Sequence, residues 1–478
     1  MAAEVATLTG TPASLSDDAL EELRTQLRGD ALESADPRFA EVREVFNLMH
    51  DREPAIVVQC RGTADVVTAV NFARAEGLAV AVRGGGHSIA GLSTIDGGML
   101  IDLAAMNGVQ VDPERKIAQV EGGALWGDLD RETQAHGLVA PGGVVSDTGV
   151  AGLTLGGGYG WLRRKFGLSS DSVVEAQVVC ADGEVRTASE DTNADLFWAL
   201  RGGGGNFGIV TSFTFELQEL GPMVAFAATM YPLEDVAEVL RRWRDYADDA
   251  PNEVTSVVVT ITFPANPEMP EAVHDRPVAI VGGVYAGDPE EGMEVMQPLR
   301  ELGTPLFDMS GPTPYTDVQT GFDPLFPRGA LRGYWKSQYL DELSDGAIDL
   351  IAARAQERPA PLTMVNTFLM GGAIADVDPE KTAFATREAP YMASIDGLWT
   401  EDEASDEDVV GFVRSTFDAV SEFGTGDVYL NFTGRAGEDV SAGVGDAFGR
   451  NLRRLEEVKA KYDPDNFFRL NNNIAPVD

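Results

Sequence analysis

His87 closes the run Arg83-Gly84-Gly85-Gly86-His87-Ser88, directly after the apolar stretch Leu78-Ala79-Val80-Ala81-Val82. Three successive glycines strip one patch of main chain of side chains, so a bulky ligand can lie against bare N–H groups. An imidazole then stands at the edge of that patch. The chemistry this predicts is a cofactor cradled by main chain and tethered through a nucleophilic ring nitrogen. A second glycine region, Gly142 to Gly160, repeats the device with Gly142-Gly143, Gly149, Gly152, Gly156-Gly157-Gly158 and Gly160.

The elements needed to position these loops read as short alternations of strand and helix. Ala55–Gln59 and Leu78–Val82 read as strands, joined by a helix over Thr63–Glu76 with Val66, Val67, Val70 and Ala73 inward and Gly77 at its stop. Gly98–Leu103, Val109–Asp112 and Ile117–Glu121 follow as strands, and Leu125–Ala135 as a helix. Before them, residues 15–30 read as an acidic helix capped by Ser16, with Leu20, Leu23 and Leu27 at helical spacing. Beyond 221 the strands lengthen (Ala225–Tyr231, Thr255–Phe263, Val278–Tyr285, Thr363–Met370, Tyr391–Leu398), with helices around 289–302, 339–357 and 406–423. That pattern predicts an antiparallel sheet backed by helices, an α+β domain. A last helix is expected over Asp446–Lys461.

Gly203 to Gly208 matches G-x-G-x-x-G, but the order is helix, glycines, strand. The dinucleotide fingerprint needs strand, glycines, helix, so that a helix N-terminus meets the pyrophosphate. A nicotinamide-binding domain is therefore rejected, and no P-loop pattern occurs. A large anionic ligand spread over 83–88 and 142–160 suits the pyrophosphate and ribityl chain of FAD.

In combination, several stretches resemble the vanillyl-alcohol-oxidase superfamily, in its berberine-bridge and hydroxynicotine-oxidase branch. They are Arg83 to Ser88, Asp147 to Gly152, Gly156 to Gly160, Lys165 to Asp171, Leu196 to Gly202, and the closing Tyr462 to Phe468 with Asn471 to Pro476. The resemblance implies a two-part flavin-binding domain plus an antiparallel-sheet substrate domain backed by helices. The divisions expected are 1–35, an N-terminal helical extension; 36–221, flavin-binding; 222–435, substrate-binding; and 436–478, returning to the flavin domain. It implies FAD bonded through a ring nitrogen of His87 to its 8-methyl carbon. Candidate cofactor contacts are Arg83, Gly84, Gly85, Gly86, His87, Ser88, Gly143, Ser146, Thr148, Gly149, Gly152, Leu155, Gly156, Gly157, Gly158, Tyr159, Gly160, Gly208, Ile209, Val210, Asn471 and Asn473. The activity implied is hydride transfer from a small amine, alcohol or sugar to FAD, with O₂ or another acceptor downstream. A non-catalytic flavin-binding protein on the same scaffold is the alternative.

Two departures matter. Members that attach FAD twice carry a cysteine where Val145 stands here, so one attachment is expected. Members that oxidise alcohols and sugars often carry Tyr-x-Asn-Tyr, with the second tyrosine as base; here the segment is Tyr429-Leu430-Asn431-Phe432, and phenylalanine takes no proton. Tyr391, Tyr429 and Asn431 are the candidate catalytic residues, a tyrosine needing a cation such as Arg387, Lys336 or Arg435 to act near neutrality. An amine, which passes a hydride from its neutral form, needs less.

Composition bounds the rest. Net charge is −41, with six lysines against 30 arginines, and the acids run along the whole chain. Phosphate backbones would be repelled, so no nucleic-acid partner is expected. Self-repulsion at this density predicts a protein suited to a very salty cytoplasm. Cys60 and Cys180 lie in apolar runs and fit a reducing compartment, and the four histidines lack ligand spacing, so no metal site is expected. Met1 to Ser16 carries no Lys or Arg and no apolar core of signal-peptide type, so export is not expected, and no stretch of ~18 consecutive apolar residues occurs, so no membrane partner is expected.

Overall fold

The computed structural model describes residues 3–267, 269–434 and 447–477. A four-stranded sheet sets the first glycine loop. Ile56–Gln59, Met99–Asp102 and Val80–Arg83 run parallel, with Met99–Asp102 in the middle. The helix Thr63–Ala75 makes the crossover, and the strands read as unbroken apolar runs because both faces are covered. Val80–Arg83 ends directly at Gly84, so the loop leaves the carboxyl end of a parallel sheet, where such sheets offer their ligand sites. Asp30–Leu32 pairs antiparallel with Ile56–Gln59, and the helix Asp17–Gln26 packs against Thr63–Ala75. Residues before 36 are thus built into this unit instead of standing as an extension. A three-residue strand of Asp, Ala and Leu carries no periodic signal by which sequence could find it.

Beside it lies a five-stranded antiparallel sheet in the order Val185–Ser189, Val173–Cys180, Gly208–Glu216, Ile117–Glu121, Val109–Asp112. The C-terminal residues return here. Leu455, Val458, Tyr462 and Ile474 enter its core, while Phe467 and Phe468 enter that of the parallel sheet.

The third sheet is eight-stranded and antiparallel. Its path runs Phe307–Asp308, Met223–Pro232, Arg276–Tyr285, Val254–Phe263, Met364–Leu369, Tyr391–Trp399, Arg332–Leu340, with Gly311–Pro314 also on Met223–Pro232. Helices Val236–Ala247, Asp345–Gln356 and Asp406–Ser421 cover one face, and their apolar stripes form its largest core. Two expectations change. Arg332–Leu340 is a strand, and the helix expected from 339 begins only at Asp345, where the Ser344 hydroxyl accepts from the Ala347 N–H and caps it. The last helix is Leu452–Tyr462; Asp446 and the 435/436 boundary lie outside the described residues.

A contact between the flavin-side unit and the large sheet's unit holds a buried titratable group. Asp130, on the helix Trp126–Gln134, is fully buried against Gln319 of the helix Tyr315–Thr320, whose Nε2 donates to it at 2.8 Å. Burial pushes its carboxyl up to about 7. The folded chain therefore keeps a proton that the unfolded chain sheds above ~4, and stability falls as pH rises across that window. Asp130→Asn removes this loss: its denaturation midpoint should match wild type at pH 4 and exceed it at pH 8, by up to ~1.4 kcal/mol for each pH unit of the shift.

Candidate active site

Between the glycine loops and the uncovered face of the large sheet lies a cavity of about 350 Å³. On its flavin-side half the two loops meet main chain to main chain. A Cβ built on Gly85 would stand 2.3 Å from the Gly149 nitrogen, and one on Gly149 2.4 Å from the Gly85 nitrogen. Any side chain at either position would wedge the loops apart. Gly86 turns with φ +75°, a conformation glycine adopts at little cost.

Of the candidate cofactor contacts, Gly84, Gly85, Gly86, His87, Ser88, Thr148, Gly149, Gly152, Leu155, Gly156, Tyr159, Gly208, Ile209, Val210 and Asn471 line the cavity. The others stand behind it. Arg83 is buried in a pair with Asp102 (Nη2 to Oδ2 2.9 Å) and donates to the Glu44 carbonyl, which fixes the loop's root. Gly143 packs on Leu153 and Trp126, and Gly160 abuts the Gly142 and Gly143 carbonyls. Gly157 meets the Phe384 ring, and the Gly158 N–H donates to the Tyr429 hydroxyl. Ser146 is engaged by Asp323, its N–H at 2.9 Å and its hydroxyl at 2.5 Å. Asn473 is not on the cavity wall. Gly202, Gly204 and Gly205 are on it too, although the third glycine run they belong to is not among the candidate cofactor contacts. The G-x-G-x-x-G run does sit in the order helix, 3-10 turn, strand, and it faces the cavity without being a dinucleotide fingerprint.

His87 stands on the cavity wall at the end of the first glycine loop. Its ring stacks on Phe46 at 4.4 Å and 18°, and Nε2 is 2.7 Å from Oδ1 of Asp147. Burial alone would raise the Asp147 carboxyl, but His87 and the charge of Arg328 hold it below the usual range. Val145 lines the same wall, so no thiol stands at the position of a second attachment. Both cysteines are buried elsewhere, and burial pushes the Cys180 thiol up to about 11.

The other half is walled by Trp161, Phe322, Phe326, Trp335, Met364, Phe368 and Phe432. Asp396 is the one carboxylate among the described residues that line the cavity. It sits in Tyr391–Trp399 on the opposite face from Tyr391, Ala393, Ile395 and Trp399, which join the helix-covered core. Asn366 Nδ2 donates to its Oδ2 at 2.8 Å and the Ser394 hydroxyl donates to its Oδ1. Burial pushes its carboxyl up to about 7, against the pull of those two bonds.

The candidate catalytic residues fare unequally. Tyr391 is not in the site: its hydroxyl donates to Asp248 at 3.0 Å and its ring packs on Trp243. Tyr429 and Asn431 do line the cavity, and Asn431 Nδ2 donates to the Tyr429 hydroxyl at 2.9 Å and to the Leu153 carbonyl at 3.1 Å. Burial pushes the Tyr429 phenol up, the wrong direction for a base. Arg387 is committed to Asp171 and Thr382, Lys336 lies over the Phe417 ring, and Arg435 is outside the described residues. The pair is a hydrogen-bonded wall.

A buried ion pair holds the chain end against the cavity. Lys459 Nζ is 2.5 Å from Asp463 Oδ2 and also donates to the Asn206 and Phe468 carbonyls; Asp463 accepts from the Phe467 and Phe468 N–H groups. Phe468, Leu470, Asn471 and Asn472 thereby reach the wall. Asp463→Ala would strand the ammonium. It should lower unfolding free energy by ~3–5 kcal/mol in a denaturant titration.

The residues present suit a bound flavin dinucleotide. Bare main chain at 84–86 and 149 can take its pyrophosphate, and the buried Asn471 Oδ1, without a partner among the described residues, can take a hydroxyl or amide hydrogen. A dinucleotide cradle opening onto a single acid among aromatic rings defines a redox protein that works on an organic molecule held against its cofactor. The comparisons agree. The FAD binding domain model matches residues 54–189, and the Berberine and berberine like model matches 428–475. An uncharacterized FAD-linked oxidoreductase, YgaK of Bacillus subtilis, is 31% identical over 95% of this chain and 98% of its own. The (R)-6-hydroxynicotine oxidase of Paenarthrobacter nicotinovorans is 28% identical over 94% of this chain and 97% of its own. The crystal structure of 6-hydroxy-D-nicotine oxidase from Arthrobacter nicotinovorans superposes with a TM-score of 0.84 at 26% identity, covering 94% of this chain and 98% of that one. The chain belongs to the FAD-linked oxidoreductases, in their berberine-bridge-like branch. It is an FAD-dependent oxidoreductase, and the reading as a non-catalytic flavin binder falls away.

Proposed function

We propose that the protein holds FAD through a single covalent bond to His87 and oxidises a small, largely apolar amine or alcohol, with Asp396 as the proton acceptor. Bound FAD supplies the hydride acceptor, and O₂ or another acceptor reoxidises it. The carrying observation is the lone carboxylate in an aromatic-walled half-cavity. The rings bury the substrate's apolar body and exclude water. Asp396 takes the hydroxyl or ammonium proton, which an alcohol or amine must lose to release hydride readily. Asn366, itself on the wall, and Ser394 fix the carboxylate, and Tyr429 with Asn431 close the floor beside Gly156 and Gly158.

An oligosaccharide fits less well, because its many hydroxyls would be desolvated against rings that offer few partners. Anaerobic mixing with a panel of amines, alcohols and sugars tests the reading. Apolar amines or aryl alcohols should bleach the flavin fastest; fastest bleaching by oligosaccharides overturns it. Yellow colour that stays with acid-precipitated protein tests the covalent bond. We place the protein in a salt-rich cytoplasm, on the support of its −41 charge and two buried free cysteines.

A further inference from the structure

We infer that Asp147, steadied by Arg328, is the positioning residue for covalent attachment of the flavin at His87. The inference rests on the covalent reading above. Asp147 stands two residues before Gly149, and the abutment of Gly149 on Gly85 brings its carboxylate to the imidazole. Nε2 and Oδ1 are 2.7 Å apart, and neither has a hydrogen-bond partner among the described residues. The approach is oblique, as contacts of a reacting pair commonly are before the reactant is in place. Phe46 holds the ring plane from one side, and its own N–H donates to the Gly86 carbonyl at 3.1 Å. Arg328 Nη2 donates to the Gly85 carbonyl at 2.6 Å and lies 3.6 Å from Asp147 Oδ2. One guanidinium thus ties the carboxylate to the loop that carries His87.

A neutral imidazole has one N–H and one lone pair, and the neighbour of one nitrogen decides which is which. A carboxylate at Nε2 keeps the proton there and leaves the lone pair on Nδ1, the logic by which an acid orients a histidine for nucleophilic work. The Nδ1 lone pair forms the bond to the flavin's 8-methyl carbon. The electron pair of the broken C–H bond enters the ring system, reducing it by two electrons. Two protons leave, one from the methyl carbon and one from Nε2, the latter to Asp147. Dioxygen takes up the electron pair and the two protons as hydrogen peroxide. Asn at 147 offers no charge to the developing imidazolium and presents a donor that favours the wrong tautomer.

Full-length protein is expressed with each variant, total flavin is read by absorbance, and the acid-denatured chain is weighed for bound flavin. Wild type should carry covalent FAD. Asp147→Asn should lose it ~10-fold or more while still binding FAD that acid releases, and Asp147→Glu should recover most of it. Covalent FAD in Asp147→Asn at the wild-type level overturns the inference. Absence of covalent FAD in wild type overturns the covalent reading itself. If Asp147→Asn is insoluble, Arg328→Gln decides: slower attachment supports the role, and unchanged attachment overturns it. The wild-type flavin peptide gives a check independent of folding, since alkylation at Nε2 instead of Nδ1 is incompatible with the inference.

Discussion

Asp396→Asn should lower kcat/KM ~10²–10⁴-fold, the range for losing a positioned general base. The amide is close to isosteric, and Asn366 and Ser394 remain to hold it. Fold and flavin content should therefore persist, and the loss should fall on flavin reduction measured by anaerobic stopped flow. The pH profile makes the test specific. Burial raises the wild-type carboxyl to about 7, so the ionised, proton-accepting form grows as pH rises through that value. Wild-type kcat/KM should climb tenfold per unit below about 7 and level off above it; the variant should lose that limb. A drop of less than about threefold, or a limb that survives, would hand the proton to another group. Like that of Asp130, the raised Asp396 carboxyl stabilises the fold at low pH and ceases to do so above about 7. Activity and stability thus pull in opposite directions across one pH window.

Much of this arrangement is legible in the chain because it rests on backbone chemistry. Glycine at 84, 85 and 149 is required by main-chain contact and at 86 by its positive φ, and a side-chain-free loop after an apolar run reads as a cradle whatever surrounds it. The strands Val109–Asp112 and Ile117–Glu121 fall where alternation places them. Asp396 is harder to see. Tyr391–Trp399 is buried along its whole length, so neither face is marked by polarity, and the period of two that separates 391 from 396 has no visible phase. Tyr391 draws notice as a phenol, yet it points into the helix-covered core with Ala393 and Ile395. The better clue was an acid in an otherwise apolar strand, a group expensive to bury without a use. Arg332–Leu340 escapes for the converse reason: Arg332, Lys336 and Gln338 interrupt its apolar pattern, while Asp406 and the Phe417 ring, which satisfy two of them, lie 74 and 81 residues further along the chain.

Lowering salt from ~2 M to ~0.05 M should cut the melting temperature by ~10 °C or more, the largest stability effect expected of this chain. The excess of 41 negative charges repels itself in the compact state, and unfolding relieves it. At molar salt the Debye length is ~3 Å, shorter than most spacings between exposed carboxylates; near 0.1 M it is ~10 Å, and neighbours interact. Arginine bridges such as Arg332 to Asp406 and Glu401, or Arg241 to Asp349, neutralise some acids, but 36 cations cannot match 77 anions. Screening can be told from general strengthening of apolar burial, because sulfate and sucrose act by exclusion from the surface whereas screening depends on ionic strength alone. Sodium and potassium chloride should restore the melting temperature equally at equal ionic strength, and sucrose should not substitute for them. A melting temperature indifferent to chloride would mean the acids are held by local pairing, and would remove the support for a salt-rich setting.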